Sequence, residues 1–597
     1  MIAPIEATGL GKRFGHSWAL YDCSIRVPAG KIAGLVGPNG AGKTTFLHLA
    51  SGLLRPTAGE ITVFGRSPQE QLLLLLDRVG FVAQDTPLYA GFSVGDMLRF
   101  GRELNRRWDQ PAAEDRLRSL QIPFDKKVGQ LSGGQRSQVA LALALGKHPE
   151  LLLLDEPVAR LDPLARREFM RRLTEAVAEE GSTVLLSSHV IADLERVCDY
   201  LIIIAAGRVQ VAGDIDALLT SHHLIVGPRL NGNVPLSGVE LVKAQHTERQ
   251  SSLWIRGAGS GARGRLARRT AAARGTRDHL SVRARGRDAA KAGARGGGVM
   301  TWVTWRQHRH EALWAVVFTA LLAGSVGYVA LQLSIARGSC PGAIGFGYCL
   351  PGDTFGRIAQ ALLRLNLAQY GLVVLPALAG AFIGAPLVAR EIEDGTQHLA
   401  WTQGVTRMRW LIVKLGLIIV PLVAAAAMVG YLEIVFLSVQ GPQVNRWNIF
   451  DQQAPVVPAA AFVAMALGVA FGAVIGRSVP AMAATLVAFV VVRVGIAELV
   501  RSHYIAPLMK TTHDLNAVGS QADPTAWWLG FPNYYDSTGH LLGNLLGPGT
   551  GPPSYAIQYF QPGDRFWAFE TMEASILTGL ALLILGFAVY WVTRRAS

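Results

Sequence analysis

The stretch Gly37-Pro38-Asn39-Gly40-Ala41-Gly42-Lys43-Thr44, directly after the apolar run Ile32–Val36, decides how this chain folds. It reads as a phosphate-binding loop between a buried strand and a helix. The glycines let the backbone curl until its N–H groups face phosphate oxygens, and Lys43 adds a positive charge where β- and γ-phosphates lie. Thr44 is the natural magnesium ligand. Gly37, Asn39, Gly40, Gly42, Lys43, Thr44 and Thr45 are therefore the first candidate binding residues.

The loop has companions in a fixed order. Leu131-Ser132-Gly133-Gly134-Gln135 follows it, then the apolar strand Leu151–Leu154 ending in Asp155-Glu156-Pro157, then Leu161-Asp162, then His189 after another apolar run. In order and spacing these resemble the ATP-binding-cassette (ABC) ATPases over residues 3–220. One departure is Val158-Ala159-Arg160 before Leu161-Asp162, where small residues are commoner in the family; it touches the geometry of a dimer interface and removes no catalytic group.

Strands are expected at 32–36, 80–83, 151–154, 183–187 and 201–205, with helices beginning at Lys43 and near Ser132. Short apolar strands alternating with helices imply a parallel sheet. Ligands bind beyond the carboxyl ends of such strands, where Gly37, Gln84, Asp155 and His189 all fall. Phosphoryl transfer to water needs positioning, charge neutralisation and an activated nucleophile. Lys43 and the loop amides are expected to hold phosphate, Thr44 and Asp155 to hold Mg2+, and Glu156 to polarise the attacking water as general base.

The resemblance implies further roles. His189 corresponds to a switch histidine at the γ-phosphate, Gln84 to a glutamine that joins the metal site to the membrane domain, and Phe14 to an aromatic under adenine. Ser132, Gly133, Gly134 and Gln135 open a helix whose amides form an anion site. In the family that site closes over the nucleotide of the opposite ATPase domain, with Asp162 near the shared interface. One chain carries one set, so two copies are required, met by a homodimer or by a second half-transporter.

At 597 residues several domains are expected. The domains read as 1–222, an ATP-binding domain; 223–257, a small β extension; 258–299, a basic linker; and 300–597, a transmembrane permease. The fold class is thus an α/β P-loop ATPase followed by an all-α transmembrane domain of six helices.

The net charge of +14 is unevenly placed. Residues 258–299 carry eleven Lys or Arg against two Asp or Glu, and no Phe, Tyr or Trp on which bases could stack. That argues for a solvated, disordered linker and no nucleic-acid partner. Its Arg, Gly and Ala vocabulary is that of GC-rich DNA read out of frame, with Met300 the former start of a separate permease; uniform codon usage across the segment would refute this. Cys23 and Cys198 read as small buried apolar residues, and Cys340 with Cys349 as a pair able to form a disulfide outside the membrane. Met1 to Leu10 lacks the apolar core of a cleavable signal peptide, so the first half is expected in the cytosol.

Six apolar spans are expected at 312–333, 367–389, 415–439, 456–476, 480–499 and 572–592. Each is long enough for a hydrocarbon core of about 30 Å. Arg306, Arg309, Arg390, Arg407, Arg409, Lys414, Arg477, Arg594 and Arg595 flank their inner ends, which satisfies the positive-inside rule and places a multi-pass protein in the cytoplasmic membrane. The segment 390–410 resembles the cytoplasmic coupling region of ABC-2 type exporters, which implies docking on the ATPase near Gln84. Glu433 and Arg493 are ionisable residues inside spans, expected to pair or to line the pathway. The region 501–570 reads as an outer cap, where family resemblance allows short re-entrant helices.

These readings imply a fused half-transporter that, as a dimer in the lipid bilayer, uses ATP and Mg2+ to export an amphipathic or hydrophobic molecule. A membrane sensor ATPase without net transport is the alternative.

Overall fold

The computed structural model describes residues 2–159, 161–195, 197–228, 240–246, 250–256, 300–309, scattered positions between 313 and 335, 373–440, 445–515, 518, 523, 525–543 and 553–594. The linker at 258–299, Cys340, Cys349 and most of the expected first span at 312–333 lie outside them. The chain forms two compact units, one of Met1–Val299 with His398–Thr406, the other of Met300–Gln397 with Arg407–Ser597.

The first unit begins with β1 (Ile5–Phe14) and β2 (Ser17–Val27), which join β4 (Ala58–Val63) in an antiparallel sheet ordered β2-β1-β4. The second sheet combines β3 (Ile32–Val36), β5 (Val79–Val82), β6 (Leu151–Leu154), β7 (Thr183–Ser188), β8 (Tyr200–Ala205) and β9 (Arg208–Asp214) in the order β5-β6-β7-β3-β8-β9. Every neighbouring pair is parallel except β8 and β9. Each residue of β3, β5, β6 and β7 is buried. Uninterrupted apolar strands are what a parallel sheet covered on both faces requires. Three further strands, β10 (His222–Pro228), β11 (Glu240–His246) and β12 (Gln250–Arg256), form an antiparallel sheet ordered β10-β12-β11.

Three helices of this unit matter for the site: α1 (Lys43–Ala50), α2 (Gly133–Leu145) and α3 (Pro163–Glu180). Ser132 caps α2 in a reciprocal pair: its hydroxyl accepts the Gln135 N–H at 3.2 Å while Gln135 Oε1 accepts the Ser132 N–H at 3.1 Å. Asp162 caps α3, accepting the Ala165 N–H at 2.9 Å.

Among the described residues, the second unit contains five helices long and apolar enough to cross a membrane: Val373–Asp394, Arg407–Val435, Arg446–Ile475, Ser478–His503 and Gly563–Arg594. They correspond to the second to sixth expected spans. The expected loop at 390–410 is instead helical: α4 (Ala385–Asp394) ends at Gly395 in a left-handed cap, α5 (Thr396–Thr402) follows, and α6 (Arg407–Gln440) starts eight residues before the expected 415. The polar side chains that made this stretch look like a loop are paired. Glu391 is buried, ion-paired with Lys414 and accepting from Trp410 Nε1 at 2.9 Å and Gln307 Nε2 at 3.1 Å.

Small residues allow two helix backbones to meet closely here. A Cβ at Gly468, in α7 (Val456–Ile475), would stand 2.2 Å from the carbonyl oxygen of Gly380, where the second span takes a π turn. Backbones that meet so closely exclude any side chain.

The region that reads as an outer cap, where family resemblance allows re-entrant helices, contains strands among its described residues. β13 (Leu508–Thr512), β14 (Trp527–Tyr535), β15 (Leu541–Gly543) and β16 (Tyr555–Gln561) form an antiparallel sheet ordered β13-β16-β14-β15. Tyr, Trp, Phe and Ile dominate β14 and β16, and these residues suit a pleated surface better than a helix. The sheet connects α8 (Ser478–Gly495) to α9 (Phe566–Arg594), which begins six residues before the expected 572.

Candidate functional site

The loop between β3 and α1 closes tightly because Gly37 has no side chain: a Cβ there would fall 2.2 Å from Ile204 O in β8. Lys43 follows at the first position of α1, 4% exposed, with Nζ donating to Gly37 O at 2.8 Å and Pro38 O at 3.2 Å. The same ammonium stands 3.2 Å from Glu156 Oε1. Gly40 and Asn39 are exposed at the loop crest, Thr44 is exposed and Thr45 half-buried.

Asp155 and Glu156 leave β6 beside this loop. Asp155 is 1% exposed; its Oδ1 accepts from Ser187 Oγ at 2.7 Å, and its Oδ2 is buried with no hydrogen-bond partner among the described residues. Burial pushes its carboxyl above the usual carboxylate range, against the hydroxyls of Ser187 and Thr44 and the ring of His48. A buried carboxylate oxygen beside a threonine hydroxyl is the donor set a hard cation such as Mg2+ takes.

Glu156 sits at φ 43°, a left-handed conformation that costs a non-glycine residue about 1–3 kcal/mol. Its N–H donates to Ser187 Oγ at 2.8 Å, which helps hold it there. The carboxylate lies between two partners, Lys43 on Oε1 and His189 Nδ1 on Oε2 at 3.0 Å. Lys43, Thr44, Asp155, Glu156 and His189 are thus brought to one place.

The other expected residues lie around it. Gln84 is exposed in the turn after β5, and Phe14 is 48% exposed at the end of β1 with Lys12 Nζ 5.2 Å from its ring centroid. Ser132 is exposed at the start of α2, and Gly134 comes close to Leu161: a Cβ on it would lie 3.5 Å from Leu161 Cδ2. The signature helix and Leu161-Asp162 therefore adjoin. Gln135 serves its own helix cap.

Sequence reasoning missed four residues. Ser187 is one of two serines closing a buried apolar strand, and a polar side chain at that end of the strand was the available signal. His48 lies on α1 and faces Asp155; burial lowers its pKa. Lys147 and Asn105 hold the segment His398–Thr406, which belongs to this same unit. Fully buried Lys147 donates to Leu76 O at 2.9 Å and Thr402 O at 3.3 Å, while Asn105 Nδ2 donates to Gln403 Oε1 at 2.7 Å. The rings of His398 and His48 are 5.5 Å apart, and Leu399 and Thr402 share a groove with Ala83 and Thr86, either side of Gln84.

The ABC transporter family profile matches residues 20–159, and the profile described as ABC-2 membrane transporter related matches residues 304–501. A Nod factor export ATP-binding protein I of Burkholderia lata is 38% identical over 227 residues, covering 37% of this chain and 74% of that protein. The chain belongs to the ABC transporter family. Its cassette is fused to an ABC-2 type membrane domain, and it is an ATPase of the transporter class that binds ATP.

The Nod factor export ATP-binding protein I of Rhizobium johnstonii is 36% identical over 220 residues, covering 36% of this chain and 70% of that protein. A sulfate/thiosulfate import ATP-binding protein CysA of Mesorhizobium japonicum is also similar, 34% identical over 221 residues, covering 36% of this chain and 64% of that protein. Cassette similarity therefore spans relatives named for either direction of transport.

In the transporter's membrane unit, Glu433 and Arg493 were expected either to pair or to line the pathway. The carboxylates in contact with Arg493 are Asp451, at 2.5 Å, and Glu573, at 2.8 Å. Neither was singled out from the sequence, because Asp451 and Glu573 looked like loop or end residues until the helices were placed. Glu433 is buried on α6.

Proposed function

We propose that two copies of this chain form an exporter that uses ATP to move an amphipathic or hydrophobic molecule out of the cytosol across the cytoplasmic membrane. One observation carries the direction: the fused membrane domain is of the ABC-2 related kind. Relatives named for export agree with it. The apolar, small-residue character of the spans favours an amphipathic cargo.

The residue roles we propose draw support from the clustering of Lys43, Thr44, Asp155, Glu156 and His189 and, for the other residues, from the family resemblance. Lys43, with the loop from Gly37 to Gly42, cradles the β- and γ-phosphates of ATP, and Phe14 offers its exposed face to adenine. Mg2+, held by Thr44 and Asp155 with Gln84 nearby, neutralises phosphate charge when bound. Glu156 accepts a hydrogen bond from the attacking water and draws off its proton, while His189 holds the Glu156 carboxylate and contacts the γ-phosphate. Ser132, Gly133 and Gly134 close the nucleotide site of the other copy, with Asp162 at the shared interface.

The segment His398–Thr406, held by Lys147 and Asn105, runs directly into α6 in sequence. The test is dye efflux from cells expressing the chain. Faster energy-dependent loss of amphipathic dyes than in cells expressing Lys43→Ala supports export; equal loss contradicts it.

A further inference from the structure

The membrane unit gathers five ionisable side chains where its helices meet the strand-bearing region. Asp451 comes from the turn before α7, Arg493 from α8, Arg501 from the residues just after it, and Glu570 and Glu573 from the first turns of α9. Arg493 and Arg501 each bond both Asp451 and Glu573. Glu573 accepts from Arg493 and Arg501 at 2.8 Å, and from Tyr504 Oη at 3.4 Å.

Two guanidinium groups thus serve two carboxylates, and Glu570 is the third. It is fully buried. Its Oε2 accepts only the Val456 N–H, at 3.3 Å, and its Oε1 is sealed with no hydrogen-bond partner among the described residues. The groups facing it are Glu573 on its own helix, Asp451 from the turn before α7, Arg501, and the backbone N–H at the start of α7. Both arginines are already committed. An ionised Glu570 would be an anion in a buried site beside two other anions, with one long backbone hydrogen bond and an arginine already shared by two carboxylates to set against its desolvation.

We propose that Glu570 is a proton-binding site of the membrane unit. Its carboxyl carries a proton in this conformation, and exposure of the start of α9 to water releases it: the O–H bond breaks, the electron pair stays on the carboxylate and the proton goes to water. Protonated, the side chain joins α9 to the start of α7 without a buried charge.

The test is infrared spectroscopy of the full chain in lipid nanodiscs, beside thermal unfolding. The wild type at neutral pH is expected to show a protonated-carboxyl C=O stretch that Glu570→Gln lacks. Glu570→Gln, which mimics the neutral acid, should keep wild-type stability, whereas Glu573→Gln, which strips an acceptor from both arginines, should lose it. These readouts do not depend on transport. A second arm rests on the exporter reading: raising the pH inside inside-out vesicles should lower wild-type uptake several-fold and leave Glu570→Gln flat. Identical spectra for wild type and Glu570→Gln would overturn the proposal. So would stability that depends on added sodium or potassium, which would make the ligand a metal cation. If Glu570→Gln fails to fold, a dicyclohexylcarbodiimide adduct on wild-type Glu570 at neutral pH supports the protonated acid, and its absence overturns it.

Discussion

Ser187 Oγ donates to Asp155 Oδ1 at 2.7 Å, and the same oxygen accepts the Glu156 N–H at 2.8 Å. One hydroxyl at the end of β7 therefore orients the proposed metal-holding carboxylate and pins the backbone of the proposed general base in its left-handed conformation. Groups that orient a metal ligand are commonly worth about 10–100-fold in metal affinity or activity. Ser187→Ala is expected to lower ATP turnover by about that factor and to raise the Mg2+ concentration needed for half-maximal rate. Unchanged Mg2+ dependence in a titration of hydrolysis would remove Ser187 from this role.

Glu156→Gln keeps the shape of the side chain and a hydrogen-bonding oxygen while losing the proton acceptor. Turnover should fall about 10²–10⁴-fold, with ATP binding retained because Lys43 and the loop amides are untouched. Equilibrium binding of a fluorescent ATP analogue beside steady-state hydrolysis checks both halves. Loss of binding together with hydrolysis would mean that Glu156 acts through the fold of the loop.

Asn105 and Gln403 share a buried hydrogen bond of 2.7 Å. Asn105→Leu leaves the glutamine amide oxygen without this donor, at a cost of about 1–3 kcal/mol. Because neither residue touches the nucleotide site, basal hydrolysis should stay near wild type while transport drops roughly tenfold. Equal loss of both activities would show a general folding defect.

Burial lowers the Lys147 pKa from 10.5 to about 8. Between those values the folded chain binds fewer protons than the unfolded one, so this group makes stability rise with pH through that window and contributes no slope below it. Lys147→Met removes the slope. The wild type minus Lys147→Met difference in stability should shift in favour of the wild type by up to about 3 kcal/mol from pH 8 to 10.5. Thermal unfolding at several pH values measures it, and a flat difference would contradict the assignment.

The nucleotide-binding half was legible because its chemistry is written in contiguous runs. Gly37 to Thr44 and Asp155-Glu156 each carry their neighbours with them, and unbroken apolar strands such as Leu151–Leu154 announce a parallel sheet. What escaped were contacts between residues distant in sequence. Ser187, Lys147 and Asn105 meet Asp155, Thr402 and Gln403 across 32, 255 and 298 positions, a pairing that no local pattern announces.

The membrane half hid its features differently. Arg493 finds Asp451 and Glu573 only once three helices converge, and hydropathy cannot report which carboxylate an arginine meets. The β13–β16 sheet was missed because β14 is interrupted by Gly530 and Pro532, and because none of its strands builds a long apolar run.

The most direct test of the central claim is ATP-dependent accumulation of amphipathic dyes in inside-out proteoliposomes, with wild type and Glu156→Gln compared at equal protein density. Uptake by the wild type that requires Mg2+ and ATP and disappears in Glu156→Gln is the predicted result. Hydrolysis by the wild type with no uptake of any dye, or equal uptake by both proteins, would contradict a hydrolysis-driven exporter.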